Sequence, residues 1–120
     1  MMRAYLPVTW DQLREFDAAG LLAGPLRFCA VDPRWRSEAP EVDEEEWEFE
    51  AQLAAAQSLP DIGDGAGGVV LALDVVAVDG PLDDGWGSIG GPISRFEAAA
   101  VLTTDLEWFG VQEIPFLLDP

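Results

Sequence analysis

Histidine, lysine and asparagine are absent from this chain of 120 residues, and cysteine occurs once. Without His, neither a Ser–His nor a Cys–His nucleophile pair can be assembled within the chain. Without Lys there is no Schiff-base amine, no Ser–Lys pair and no phosphate-gripping P-loop lysine. Zinc sites draw mainly on Cys and His, so Cys29 alone does not make one, and it allows no internal disulfide. Cys29 lies in the mostly apolar run 26–31 and reads as a small buried hydrophobe. Positive charge is scarce as well: six Arg stand against 23 Asp and Glu, a formal charge of −17. A nucleic acid backbone would repel such a chain, and anionic membrane surfaces are disfavoured for the same reason.

No stretch of 18 apolar residues occurs and no charged-then-apolar leader opens the chain, so neither a membrane span nor a signal peptide is expected. The default location is cytoplasmic. What survives these exclusions is carboxylate chemistry, with Arg or Tyr5 as auxiliary groups. Carboxylates act as acid and base in a pair, or hold hard cations such as Mg²⁺ or Ca²⁺ through oxygen. Hydrophobic residues make up 49% and charged residues 24%, the proportions of an ordinary folded globule, and the length suits one domain with one modest core.

Along the chain, residues 3–8 read as a short strand with Pro7 near its end, as at an edge or a terminus. Thr9 and Gln12 fit a capping box that starts a helix running to about Ala19, with Trp10, Leu13 and Phe16 on one side and Gly20 as C-terminal cap. Residues 26–31 form a second strand, so the chain begins as a β-α-β unit. Asp32-Pro33 starts one helical turn that Pro40 stops, and Asp43 opens the longest helix, from about 43 to 59. In that helix Trp47, Ala51, Ala54 and Ser58 share one face, small enough for close approach to a sheet. Residues 61–68 and 79–87 are Gly and Asp loops, and the run 69–78 is the strongest strand, apolar enough to be covered on both faces. Ser94 is expected to cap one helical turn, residues 99–104 and 106–109 to form strands, and 112–118 a short helix broken near Pro115. The pattern predicts a single α+β domain in which a mixed sheet carries helices mainly on one face.

Two glycine-rich motifs fail on inspection. Gly85-Trp-Gly-Ser-Ile-Gly90 matches G-x-G-x-x-G, but an acidic turn precedes it and Gly91-Pro92 follows before any helix can receive a pyrophosphate. It reads as a Gly-rich turn, and no cofactor is expected. Asp61-Ile-Gly-Asp-Gly65 suggests a calcium loop, but Gly63 and Ala72 occupy the third and twelfth positions, where ligand oxygens are required. The acidic run 43–50 is the best site candidate. Helical spacing sets Glu44 beside Glu48 and Glu46 beside Glu50, pairs that repel unless a cation or Arg lies between them. The simpler reading is a favourable helix-dipole effect plus a solvated face, partly neutralised by Arg34 and Arg36. Asp74 inside the apolar strand either marks the strand's end or carries a raised pKa or a specific partner. Trp35 and Trp86, in irregular segments, are better contact candidates than Trp10, Trp47 or Trp108.

Three stretches together carry a resemblance: the opening Met2-Arg-Ala-Tyr-Leu-Pro-Val-Thr9, the block Phe28-Cys-Ala-Val-Asp-Pro33 leading into Asp43-Glu-Glu-Glu-Trp-Glu-Phe-Glu50, and the tail Leu106-Glu-Trp-Phe-Gly-Val-Gln-Glu-Ile-Pro115. The set resembles a small family of actinobacterial proteins, a domain of unknown function with no assigned activity. The resemblance implies a cytoplasmic single domain, and with no catalytic residue assigned to the family it carries no site across. Function from residues alone then divides in two. The favoured expectation is a non-catalytic acidic domain that binds a protein partner with a basic surface through Glu45, Glu46, Glu50, Trp35 and Trp86. The alternative is a metal-dependent carboxylate enzyme using Glu44, Glu48 and Asp74 on Mg²⁺, Mn²⁺ or Ca²⁺. Mimicry of nucleic acid charge is a third, thinner possibility.

Overall fold

The computed structural model describes residues 2–59, 67–75 and 81–118. Strand β1 (Met2–Thr9) leads into helix α1 (Trp10–Ala19) through the expected capping box. The Gln12 amide N–H donates to Thr9 Oγ1 at 3.2 Å, and the Thr9 N–H donates to Gln12 Oε1 at 2.9 Å. Gly20 ends the helix in the left-handed region at φ 75°, donating its N–H to the Phe16 carbonyl at 2.8 Å. Strands β2 (Leu21–Leu22) and β3 (Leu26–Ala30) follow, then helices α2 (Pro33–Glu38) and α3 (Glu44–Gln57). The rest comprises β4 (Gly68–Val75), β5 (Trp86–Ile89), β6 (Ile93–Ser94), β7 (Ala98–Leu102), β8 (Trp108–Phe109), a 3-10 turn and α4 (Ile114–Leu118).

The fold is α+β, one domain around a six-stranded sheet in the order β5-β3-β1-β4-β7-β8, with a small β2-β6 pair beside it. Two finer expectations are corrected. The sheet is antiparallel throughout rather than mixed. The alternation of strand and helix along the chain leaves strand direction open, because direction is set by the pairing each strand makes in the sheet. After α1 the chain turns back and β3 runs antiparallel to β1. Helices also cover both faces rather than mainly one. β4 is buried on both sides, and each side needs its own cover: Val69, Leu71 and Leu73 pack with Leu13, Phe16 and Ile114, whereas Val70 and Ala72 pack with Ala51, Ala55 and Leu59.

Pro7 is also placed differently from expectation, since β1 is internal to the sheet. β1 pairs with β4 along its whole length but with β3 only at Ala4 and Tyr5, so Pro7 lies where a single neighbour is hydrogen-bonded and its missing N–H is tolerated. Residues 95–97 form a turn rather than a helical turn, with Ser94 already in β6. Pro115 sits in the first turn of α4, where a missing N–H breaks nothing, so it does not interrupt the tail helix. The expected extension of β4 through residues 76–78, the calcium-like segment 61–65 and part of the second acidic loop lie outside the described residues. Among those described, no helix is long and apolar enough to cross a membrane.

On the α3 side the interface consists of Ala51, Ala55 and Ala56, all buried, against Tyr5, Cys29, Val70 and Ala72. The helix turns slightly from expectation, placing Ala55 rather than Ala54 and Ser58 at full depth. Because small side chains set this close approach, Ala55→Leu is expected to cost about 1–3 kcal/mol through overpacking, read as a lowered urea midpoint with an unchanged m-value.

Candidate functional site

Between β3 and α2 the chain turns on Asp32, the one buried charged residue among those described, with 3% of its surface exposed. Its carboxylate caps α2, accepting the Arg34 N–H at 3.0 Å on Oδ1. Oδ2 accepts the Gly85 N–H at 3.1 Å and the Arg34 guanidinium at 3.1 Å. Gly85 belongs to a two-residue hairpin turn: Asp83 donates to the Trp86 carbonyl at 2.8 Å, and Trp86 donates back at 3.0 Å. Asp84 and Gly85 have φ of 50° and 90°, the positive values that Asp-Gly supplies in a type I′ turn. The G-x-G-x-x-G motif is thus a hairpin turn running into β5, as its flanking residues implied. A single carboxylate thereby joins the start of α2 to the turn before β5, two segments far apart in sequence.

That junction positions two indoles, Trp35 and Trp86, and α3 brings a third, Trp47, beside them. Trp35 lies over Gly85 so closely that a Cβ there would come within 2.7 Å of its ring. Its Nε1–H donates to Asp84 Oδ1 at 2.9 Å. Trp47, one turn into α3, meets Trp35 with ring centroids 5.8 Å apart and planes inclined at 35°. Trp86 follows the turn and holds the Arg27 guanidinium over its ring, 4.6 Å from the centroid. The three rings line an open groove of about 530 Å³ together with Val42, Ala54 and the carboxylates of Glu46, Glu50 and Asp84. Among the described residues, none that lines it is basic.

The sequence-predicted residues divide accordingly. Glu46, Glu50, Trp35 and Trp86 come together in the groove, whereas Glu45 is exposed on α3 and is not part of its lining. Glu44, Glu48 and Asp74 are each engaged by a different group. Glu44 pairs with the Arg36 guanidinium through both oxygens, which holds the Glu44 carboxyl below its usual range. Asp74 is half-exposed at the end of β4 and pairs with Arg3 across the sheet, Nε to Oδ1 at 2.7 Å. Glu48 accepts the Tyr5 hydroxyl at 2.6 Å. Among the described residues, no three Asp, Glu, Cys or His side chains gather as a metal ion would need.

Tyr5 is a second polar centre, buried beneath α3, with Gln52 Nε2 donating to its hydroxyl oxygen at 3.1 Å. Burial, followed by the Glu48 hydrogen bond, pushes its phenol well above the usual range and keeps it a donor. Beside it a shallow cleft of about 230 Å³ is lined by Arg3, Arg36 and Glu48 among apolar neighbours. Cys29, inert and buried as expected, has its thiol pushed up to about 12, chiefly by burial. Sequence reasoning missed Asp32, Trp47 and Asp84 as site residues. The Asp84-Gly85 pair before an apolar strand was the available hairpin signal, whereas the reach of Asp32 to Gly85 had none.

Two outcomes follow from these bonds. Burial works to raise the Asp32 pKa, but the hydrogen bonds from Arg34 and Gly85 outweigh it and hold the carboxyl below its ordinary value. Its contribution is then complete above the ordinary aspartate pKa of about 3.9 and is lost as pH falls through the depressed folded value. The stability gap between the wild type and Asp32→Asn, measured by urea unfolding, should therefore shrink from pH 6 to pH 3. Tyr5→Phe strips the Gln52 amide and Glu48 of a partner and should cost about 1–3 kcal/mol in the same assay.

No curated protein and no solved structure matches the chain. Residues 2–103 match a family of unknown function, DUF6912, and the chain belongs to that family.

Proposed function

We propose that this is a non-catalytic binding domain whose tryptophan groove receives a cationic side chain from a basic protein partner. One observation carries the reading: three indoles and three carboxylates line one open groove with no basic residue among its described lining. A cation over an indole face gains from the ring quadrupole, and flanking carboxylates add charge attraction in a partly desolvated setting. Each of the protein's own arginines already has a partner within the fold. Arg3, Arg14, Arg34 and Arg36 pair with Asp74, Asp11, Asp32 and Glu44. Arg27 stacks on Trp86, and Arg95 donates to the Asp17 carbonyl at 2.7 Å. The net charge of −17 would draw a basic partner in from a distance.

A cytoplasmic location belongs to the same reading, supported by a lone cysteine that is buried and free. Arginine to the exclusion of lysine is what GC-rich coding yields and supports an actinobacterial range for the family.

A mixed Arg and Lys octapeptide, titrated while tryptophan emission is followed, tests the proposal. Binding should weaken several-fold as ionic strength rises from about 0.05 to about 0.3 M, where the Debye length falls well below 10 Å. Glu46→Gln with Glu50→Gln should weaken it further, at both salts. An affinity indifferent to salt and to this double substitution would remove the groove as the contact.

A further inference from the structure

We infer that the groove selects a guanidinium over an ammonium, so that the partner presents an arginine side chain. The inference rests on the proposed cation-binding role of the groove and adds the chemistry of the cation.

Three features separate the two ions. First, the aromatic walls suit a flat ion. Trp35 and Trp47 meet at 35° rather than near a right angle, so their faces do not close into a box around a spherical head group. Ring faces left open on one side accept a planar ion by stacking, as guanidinium does and a compact ammonium does not. Second, the carboxylates are spread along the groove. Glu46 and Glu50 lie one helical turn apart on α3, and Asp84 reaches in from the hairpin turn with one oxygen already taken by the Trp35 Nε1–H. Acceptors so separated are matched by an ion whose N–H donors spread from three nitrogens in one plane, whereas the three donors of an ammonium radiate from a single nitrogen and reach less far. A quaternary ammonium offers no donor at all and would leave these acceptors unmatched. Third, the protein already makes the contact once: the Arg27 guanidinium sits 4.6 Å from the centre of the Trp86 ring, one of the three indoles of the groove.

The occupant is thus an arginine carried by a protein segment. Its aliphatic stem would lie along Val42 and Ala54 while the head stacks on the indoles and reaches the carboxylates. Lysine and methylated lysine are the competing occupants, and the test separates them.

The experiment compares three octapeptides of equal charge and otherwise Gly and Ser, carrying Arg, Lys or trimethyl-lysine, by tryptophan emission and calorimetry at about 0.15 M salt. The arginine peptide should bind about fivefold or more tightly than either other. Glu50→Gln should erase most of that preference, and Glu45→Gln, which removes the same charge outside the groove, should leave it intact. Because both glutamates are exposed, neither change threatens the fold. Equal affinity for the Arg and Lys peptides would overturn the guanidinium inference while leaving the binding role standing. A preference for trimethyl-lysine would overturn it in favour of a quaternary ion. Binding of none of the three would bring down the binding role itself.

Discussion

A buried carboxylate has to be matched by donors or it destabilises the fold that contains it. Asp32 is matched by a helix N-terminus, a guanidinium and the amide of a turn more than fifty residues away. Because two of these donors belong to Arg34 of α2 and the third to the Gly85 turn, satisfying the charge fixes those two segments against one another. α2 and the Asp84-Gly85 turn share one anchor, and Trp35 is held between them by a glycine below and an aspartate at its edge. The groove follows from this constraint, since two of its three indoles ride on elements that Asp32 ties together.

The third indole depends on packing. α3 lies close to the sheet because alanines fill its buried face, and that closeness brings Trp47, at the helix's N-terminal end, to within ring contact of Trp35. A bulkier interface would lift the helix and open the groove. The same helix carries two kinds of acid. Glu44 and Glu48 turn toward Arg36 and Tyr5 and are absorbed by the fold, while Glu46 and Glu50 turn toward the tryptophans. A run of acids that looks uniform along the chain is divided by helical geometry into structural and presented halves.

The arginines sharpen that division. Several stand beside an acid that would otherwise add to local repulsion, and the exposed pairs contribute little to stability individually. Their effect is on where negative charge remains. With Arg3 committed between β1 and β4, Arg14 on α1 and Arg36 at the start of α3, the groove keeps carboxylates beside aromatic faces and, among the described residues, no basic side chain in its lining. Charge of one sign next to indole faces is the combination on which the proposed cation binding rests.

Local signals decided much of the architecture before any folding. The Thr9–Gln12 capping box, the Asp32-Pro33 helix start, the stop at Gly20 and the two-sided burial of β4 are all properties of neighbouring residues, and each appears where the residues place it. The absence of imidazole and amine side chains likewise narrowed the chemistry at once. Strand direction, the internal position of β1, the second covered face and the meeting of Trp35, Trp47 and Trp86 emerged only in three dimensions. Those features depend on pairings between residues dozens of positions apart, and an Asp that caps its own helix looks the same in sequence whether or not it also holds a distant turn. Short-range chemistry is written in the order of the residues; long-range partnership is chosen by packing and by the need to satisfy every buried charge.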